Sequence, residues 1–219
     1  MKRTKTSKQW MMEHINDVYV QRAKAEGYRS RAAYKLIEVV ERDKLLKPGM
    51  VVVDLGAAPG GWSQLAALRV RAGAPGGGRV IAVDLSPMDP LPGVDILTLD
   101  FLDEAAAPRI RAALQGAAEL VLSDMAPPAT GHAATDHLRI MALAEAALDF
   151  AEEVLAPGGA FVAKVWQGGS ERGLLERLRR GFAKVRHLKP ASSRAESAEL
   201  FVVATGFRGV EGKQEEAEG

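Results

Sequence analysis

Five short apolar runs follow one another along this chain: MVVVDLG (50–56), RVIAVDL (79–85), VDILTLD (94–100), ELVLSD (119–124) and AFVAKVW (160–166). Each has the length of a buried strand, and most close on an acid or a glycine. The segments 62–71, 103–115, 135–155 and 170–181 instead repeat their apolar residues at helical spacing. Strands alternating with helices predict a parallel, doubly wound sheet with helices on both faces. A final pair, AKVRHL (183–188) and ELFVVATG (199–206), is joined by the loop KPASSRAES with no helix between, so an antiparallel pair is expected there. Two helices precede the sheet, Lys8 to Lys24 and Ser30 to Leu46, separated by Gly27 and followed by Pro48-Gly49, with Ser30 in position to cap the second.

The chain has 219 residues, enough for one sizeable α/β core. It contains no cysteine, which excludes a disulfide framework, a thiolate zinc site and a cysteine nucleophile. Its basic start, MKRTKTSKQWMMEHIND, lacks the apolar segment of a signal peptide, and no apolar run reaches transmembrane length, so a cytoplasmic protein without a membrane partner is expected. The net charge of +1 conceals a segregation: residues 1–50 carry 12 Lys or Arg against 6 acids, 170–195 carry 8 against 2, and 51–169 carry 7 against 14. Basic flanks suit a polyanion, and an acidic middle suits a cationic ligand. The last stretch, EGKQEEAEG, reads as a disordered tail.

In an open parallel sheet, ligands bind beyond the carboxyl ends of the strands, which makes the acids and glycines there informative. VVVDLGAAPGGWSQ (51–64) is a strand, a glycine-rich turn starting at Gly56, and a helix start. It lacks the G-x-G-x-x-G dinucleotide fingerprint and the Lys-Ser or Lys-Thr of a P-loop. Asp84 and Asp100 close the second and third strands, placed for ribose hydroxyls and an adenine amino group, and Asp124 closes the fourth. Three carboxylates in register with the loop favour a cationic adenosyl ligand, S-adenosylmethionine. Lys164, inside the apolar run AFVAKVW, is costly to bury unless paired or used.

The segments SRAAYKL, KPGMVVVDLGAAPGGWSQ, VDLSPMDP, LVLSDMAP, LAPGGAFVAKVWQG and KPASSRAESAELFVVATG resemble, in order and spacing, the RrmJ/FtsJ (RlmE) family of 2′-O-ribose methyltransferases of large-subunit ribosomal RNA. The resemblance runs from Trp10 to Gly206. It implies a Rossmann-like methyltransferase fold, a mostly parallel seven-stranded sheet whose last strand is antiparallel. It also implies a basic helical extension over 1–47, a methyltransferase domain over 48–207 and an appended tail, 208–219. Gly60 and Trp62 would line the cofactor loop, Asp84, Asp100 and Asp124 would contact S-adenosylmethionine, and the family's Lys-Asp-Lys-Glu tetrad would fall on Lys35, Asp124, Lys164 and Glu199. The implied substrate is a uridine 2′-hydroxyl of 23S ribosomal RNA in the large subunit, although relatives modify tRNA or mRNA caps. The chain departs from the family pattern in DMAPPATG, in the glycine-rich RAGAPGGGR and in its acidic tail.

A ribose hydroxyl is a poor nucleophile and needs a base, or a cation that holds the developing alkoxide. Lys164 is the candidate for that role, with Asp124 positioning it and Lys35 and Glu199 completing the network. A free lysine, with a pKa of roughly 10.4, serves as a base only where burial or a second cation depresses that value. No metal is required: the four histidines are scattered, and HAATDH reads as a loop and helix cap. Arg22, Lys24, Arg29 and Arg31, with Tyr28 and Tyr34, suit phosphates and stacked bases, and Arg177, Arg179, Arg180, Lys184, Arg186 and Arg194 extend the basic set. SDMAPP lacks the aromatic residue that an amino-directed methyltransferase would stack on a flipped base. A non-catalytic assembly factor on the same scaffold would be expected to lose Lys164 or the glycine loop, and both are intact. The protein is expected to act as a monomer.

Overall fold

The computed structural model describes residues 17–128, 130–166, 172–194 and 197–209. The first half of the expected Lys8 helix and nearly all of the acidic tail lie outside them. The elements run α1 (Val18–Glu26), α2 (Ala32–Asp43), β1 (Val51–Leu55), α3 (Gly61–Val70), β2 (Arg79–Asp84), β3 (Val94–Thr98), α4 (Ala106–Leu114), β4 (Ala118–Ser123), α5 (Ala133–Val154), β5 (Leu155–Trp166), α6 (Arg172–Gly181), β6 (Phe182–Leu188) and β7 (Glu199–Phe207).

The strands form one seven-stranded sheet of order β3-β2-β1-β4-β5-β7-β6. β1, β2, β3, β4 and β5 pair in parallel, whereas β7 enters between β5 and β6 antiparallel to both. The chain leaves β1 toward one edge and returns through β4 to build the other, so the switch point lies between β1 and β4.

Alternation along the strands sorts the side chains onto two faces. One face carries Val53, Leu55, Ile81, Val83, Val121, Phe161 and Val202 in a core closed by α4, α5 and α6. The other carries Val52, Val80, Leu120, Leu122, Val162, Phe201 and Val203 against α2 and α3. α2 meets it with Leu36, Val39 and Val40, a stripe at helical spacing. Each fully buried Leu or Phe contributes about 1.5–3 kcal/mol, which makes these faces strict about register.

This alternation also decides where the polar strand-end residues point. Val52 to Asp54, Val80 to Asp84, Leu120 to Asp124 and Val162 to Lys164 are even steps, so all four polar residues project on the α2/α3 side. Glu199 and Phe201 share that face from β7, paired with Trp166 and Lys164 respectively. A one-residue slip in any of these strands would carry its polar residue to the other core.

Helix α2 begins one residue later than a Ser30 cap would place it. Arg31 occupies the N-cap position without a side-chain bond, while the buried Ser30 hydroxyl has no hydrogen-bond partner among the described residues and lies against α3 at Gly61. Packing of the α1–α2 turn on α3 overrides the capping preference there.

Candidate active site

Beyond the carboxyl ends of β1, β2 and β4 lies a cavity of about 360 Å³. Gly56, Ala58, Asp84, Asp100, Phe101 and Asp124 are among its walls. Two main-chain bonds to Val83 O, from Gly56 N (2.8 Å) and Ala57 N (3.1 Å), carry the β1–β2 ladder into the glycine turn. Gly56 has φ +78°, and a Cβ there would sit 2.8 Å from the backbone of Met125 in the segment after β4. Only glycine permits both the conformation and that approach. The switch-point cavity is thus walled by nearly bare backbone on one side and by carboxylates on others.

Asp84 ends β2 and organises both neighbouring loops: Oδ2 accepts from Ala58 N at 2.9 Å and Oδ1 from Ser86 N at 2.7 Å. Asp100 lies two residues beyond the end of β3 and accepts from Leu102 N at 2.9 Å, an Asx turn that aims its carboxylate at the same cavity. Ala58, Val83, Leu85, Leu99 and Phe101 supply apolar surface between the acids. A pocket of this size, with apolar walls and a few fixed carboxylates, suits an adenosyl ligand bearing a positive charge.

A second cavity, of about 390 Å³, opens beside α2, lined by Arg31, Ala32, Lys35, Arg194, Ser197 and Glu199. The two cavities are linked by a chain of charges. Lys35 Nζ lies 2.9 Å from Glu199 Oε2, and Lys164 Nζ lies 3.9 Å from Glu199 Oε1 and 2.9 Å from Asp124 Oδ1. Lys164 also donates to the Asp124 carbonyl at 2.9 Å and is only 6% exposed. The four residues that the family resemblance singles out therefore form one continuous array. Burial tends to raise the pKa of Glu199, but the charges of Lys164 and then Lys35 outweigh it and hold the carboxyl below its ordinary value.

Arg31 and Arg194 flank the basic cavity around one counter-ion. Arg31 pairs with Asp17 and donates to the Ser192 carbonyl, while Arg194 Nε is 3.9 Å from the same Asp17 oxygen. Burial, and then the charge of Arg194, lower the Arg31 pKa, with Glu199 opposing them.

The remaining basic candidates lie in other settings. Arg22 pairs with Glu26 at 3.0 Å and lies 4.7 Å over the Tyr34 ring, and Lys24 is exposed on α1. Tyr34 is buried against Tyr19 and Tyr28, which withdraws it from base stacking, and burial pushes its hydroxyl up to about 12. Arg177 is tied to Asp149 and Glu152 of α5 and Arg186 to Asp43 of α2, whereas Arg194 joins Arg31 at Asp17. Arg29 turns its guanidinium toward three backbone carbonyls. Gly60 packs against Arg29, and Trp62 lies in the core, 5.4 Å from the Phe201 ring and donating to Ala32 O at 2.8 Å. Both support the loop from beneath and are absent from the cavity wall.

HAATDH does begin a helix. His132 is the N-cap residue of α5, and Asp136 accepts from Thr130 N and Oγ1, both at 2.7 Å. Those bonds to Thr130, main chain first, hold the Asp136 carboxyl below its ordinary pKa. Among the described residues no group of three or more acids or histidines could hold a metal ion, and no helix is long and apolar enough to cross a membrane.

Asp54, near the end of β1, was not singled out by the motif reading. It is fully buried, accepts from Ser63 Oγ at 2.6 Å, and leaves Oδ1 without a partner among the described residues. Burial drives its pKa up to about 7, opposed by the Ser63 bond and assisted by Asp124 and Asp84. The signal was an acid within VVVDL, the same kind of anomaly as Lys164 in AFVAKVW. A folded-state pKa above the unfolded value means that Asp54 favours folding at low pH, and that this contribution is lost as pH rises through about 7. Asp54→Asn should therefore gain melting temperature relative to the parent as pH rises from about 4 to about 7. A difference that stays flat across that range would contradict the assignment.

Strand order, a reversed β7 and a carboxylate-lined cavity at the switch point define a Rossmann-like methyltransferase. Residues 28–207 match the FtsJ-like methyltransferase family, and the chain belongs to that family. It is 59% identical over 207 residues to the ribosomal RNA large subunit methyltransferase E of Azorhizobium caulinodans, covering 94% of this chain and 86% of that one. To the protein of the same name from Rhodospirillum rubrum it is 55% identical over 213 residues, covering 97% and 81%. A Plasmodium falciparum crystal structure described as a ribosomal RNA methyltransferase superposes with a TM-score of 0.74 at 29% identity, over 84% of this chain and all of that one.

Proposed function

We propose that this protein methylates a ribose 2′-hydroxyl of a 23S ribosomal RNA uridine in the large ribosomal subunit, in the cytoplasm, using S-adenosylmethionine. The observation that carries the reading is the array Lys35–Glu199–Lys164–Asp124, which joins the acidic cavity to the basic one. The names of the relatives point to ribosomal RNA.

In this reading Asp84 would hold the ribose hydroxyls of the cofactor and Asp100 its adenine amino group, with Asp124 completing the carboxylate wall. S-adenosylmethionine supplies an electrophilic methyl group beside an already charged sulfur. Lys164 stands between Asp124, in the wall of one cavity, and Glu199, in the wall of the other. It takes the hydroxyl proton or holds the developing alkoxide by its charge. Asp124 fixes the ammonium from two directions, through its carboxylate and its carbonyl. Glu199 and Lys35 set the far end of the array and orient the acceptor ribose. Fixed geometry is itself a large part of the rate for an in-line displacement.

Arg31 and Arg194 are the phosphate contacts that the pocket favours, since a phosphate would relieve the crowding of their charges around Asp17. Arg31→Ala or Arg194→Ala should each lower the slope of log affinity against log salt by about 1. An unchanged slope in both variants would remove this cavity from the RNA path.

The substrate is tested by incubating the protein and labelled S-adenosylmethionine with large subunits that lack the modification, with free 23S RNA and with tRNA, then mapping the label. Methyl transfer to a uridine of 23S RNA is expected. Label only on tRNA would overturn the assignment.

A further inference from the structure

The glycine turn that walls the cofactor cavity is held from outside by a residue that makes no contact with that cavity. Arg29, in the turn between α1 and α2, donates from Nη1 to Asp89 O at 2.7 Å and to Pro59 O at 3.5 Å, and from Nη2 to Pro90 O at 2.8 Å. Pro59 belongs to the turn after β1, whereas Asp89 and Pro90 belong to the loop after β2, and both segments contribute to the cavity through Ala58 and Leu85. One planar guanidinium thus bridges the two loops. Its fork reaches carbonyls from both at once, which a single ammonium point charge does not reproduce.

The neighbouring residues are shaped for this contact. Gly60 has φ +104°, and a Cβ there would meet Arg29 Nη1 at 3.0 Å, Arg29 Cδ at 3.1 Å and Leu91 Cδ1 at 3.2 Å. The glycine lets the arginine and the β2 loop close directly over the turn. Gln64 seats the base of the arginine, accepting from Arg29 N at 2.9 Å and donating to Gly27 O at 2.8 Å. Trp62 anchors the next residues through Ala32 O.

We infer that Arg29 is a positioning residue for the methyl donor: it clamps the loops after β1 and β2 together and so sets cofactor affinity, without serving as a phosphate contact. The inference rests on the proposed use of the switch-point cavity by S-adenosylmethionine. It assigns to Arg29 a role distinct from that of Arg31, two residues away on the same basic segment.

The test is calorimetric titration of S-adenosylmethionine into the RNA-free protein, with RNA affinity measured separately as a function of salt. Arg29→Ala should weaken cofactor binding by about tenfold, as loss of a charge-assisted hydrogen bond would, and should raise KM for the cofactor while KM for RNA and the salt slope stay at parental values. Arg29→Lys should recover only part of the affinity. Arg31→Ala should show the opposite pattern, a lower RNA salt slope with cofactor affinity intact. Should Arg29→Ala not fold, Arg29→Lys and Gln64→Ala carry the test, each with a several-fold loss of cofactor affinity at a near-parental melting temperature. The inference is overturned if cofactor affinity is unchanged in the variants that fold, or if Arg29→Ala lowers the RNA slope while binding cofactor normally. A parent protein that binds no S-adenosylmethionine would reject the proposed function itself.

Discussion

Lys164→Ala is expected to lower kcat by about two to four orders of magnitude while the protein still binds S-adenosylmethionine. The separation follows from geometry. Lys164 pairs with Asp124 and lies near Glu199, but is not part of the wall of the switch-point cavity, whereas Asp124 is. Single-turnover kinetics together with a cofactor titration would show a large fall in the first and little change in the second. Near-normal turnover would remove Lys164 from the chemistry. One substitution separates a base from a fixed cation. Lys164→Arg keeps a positive charge that does not titrate near neutrality, so it retains partial activity only if charge alone is required.

Asp124→Ala is expected to damage both functions. It removes part of the wall of the switch-point cavity and the nearest counter-charge of a lysine that is 6% exposed. Breaking a buried pair by deleting one member costs on the order of 3 kcal/mol, because the remaining charge stays in a poorly solvating site. Glu199, 3.9 Å from the same ammonium, offsets part of that cost. Turnover should therefore fall about as far as in Lys164→Ala, with cofactor affinity falling by about tenfold and the melting temperature dropping as well. If cofactor affinity and melting temperature stayed parental, Asp124 would not be the joint between the two cavities.

Both effects depend on residues that the chain itself advertises, a lysine and an acid among β-branched and apolar neighbours. A charge in an apolar run is anomalous wherever the run folds, and period-two alternation assigns its side of the sheet. That is why Lys164 and Asp124 were legible, and why Asp54 could have been. The order of strands and helices was legible for the same reason, down to the reversed final strand, since a connection without a helix favours antiparallel return. Contacts that depend on backbone carbonyls were not legible. Arg29 stands in a basic, tyrosine-rich stretch and reads as a phosphate ligand, yet its acceptors are the carbonyls of Pro59, Asp89 and Pro90, groups that every residue carries. Ser30 resembles a helix cap because its type favours one, and only the approach of α3 reveals the competing demand. Trp62 sits beside the glycines in sequence, but the helical turn that starts at Gly61 carries its ring into the core.

Convergence of the array on Lys35 and Glu199 depended on the fold in the same way. These residues lie 164 positions apart, and no local pattern joins them. They meet because α2 packs on the sheet face toward which Glu199 projects from the start of β7.

The central claim is that the methyl group reaches a ribose oxygen rather than a base, and alkaline hydrolysis of the labelled RNA product tests it most directly. Cleavage by alkali needs a free 2′-hydroxyl to attack the adjacent phosphate. Methylation at that oxygen blocks the cut, so the label is predicted in an alkali-resistant dinucleotide containing uridine. Label recovered in a mononucleotide would place the methyl group on a base and contradict the account.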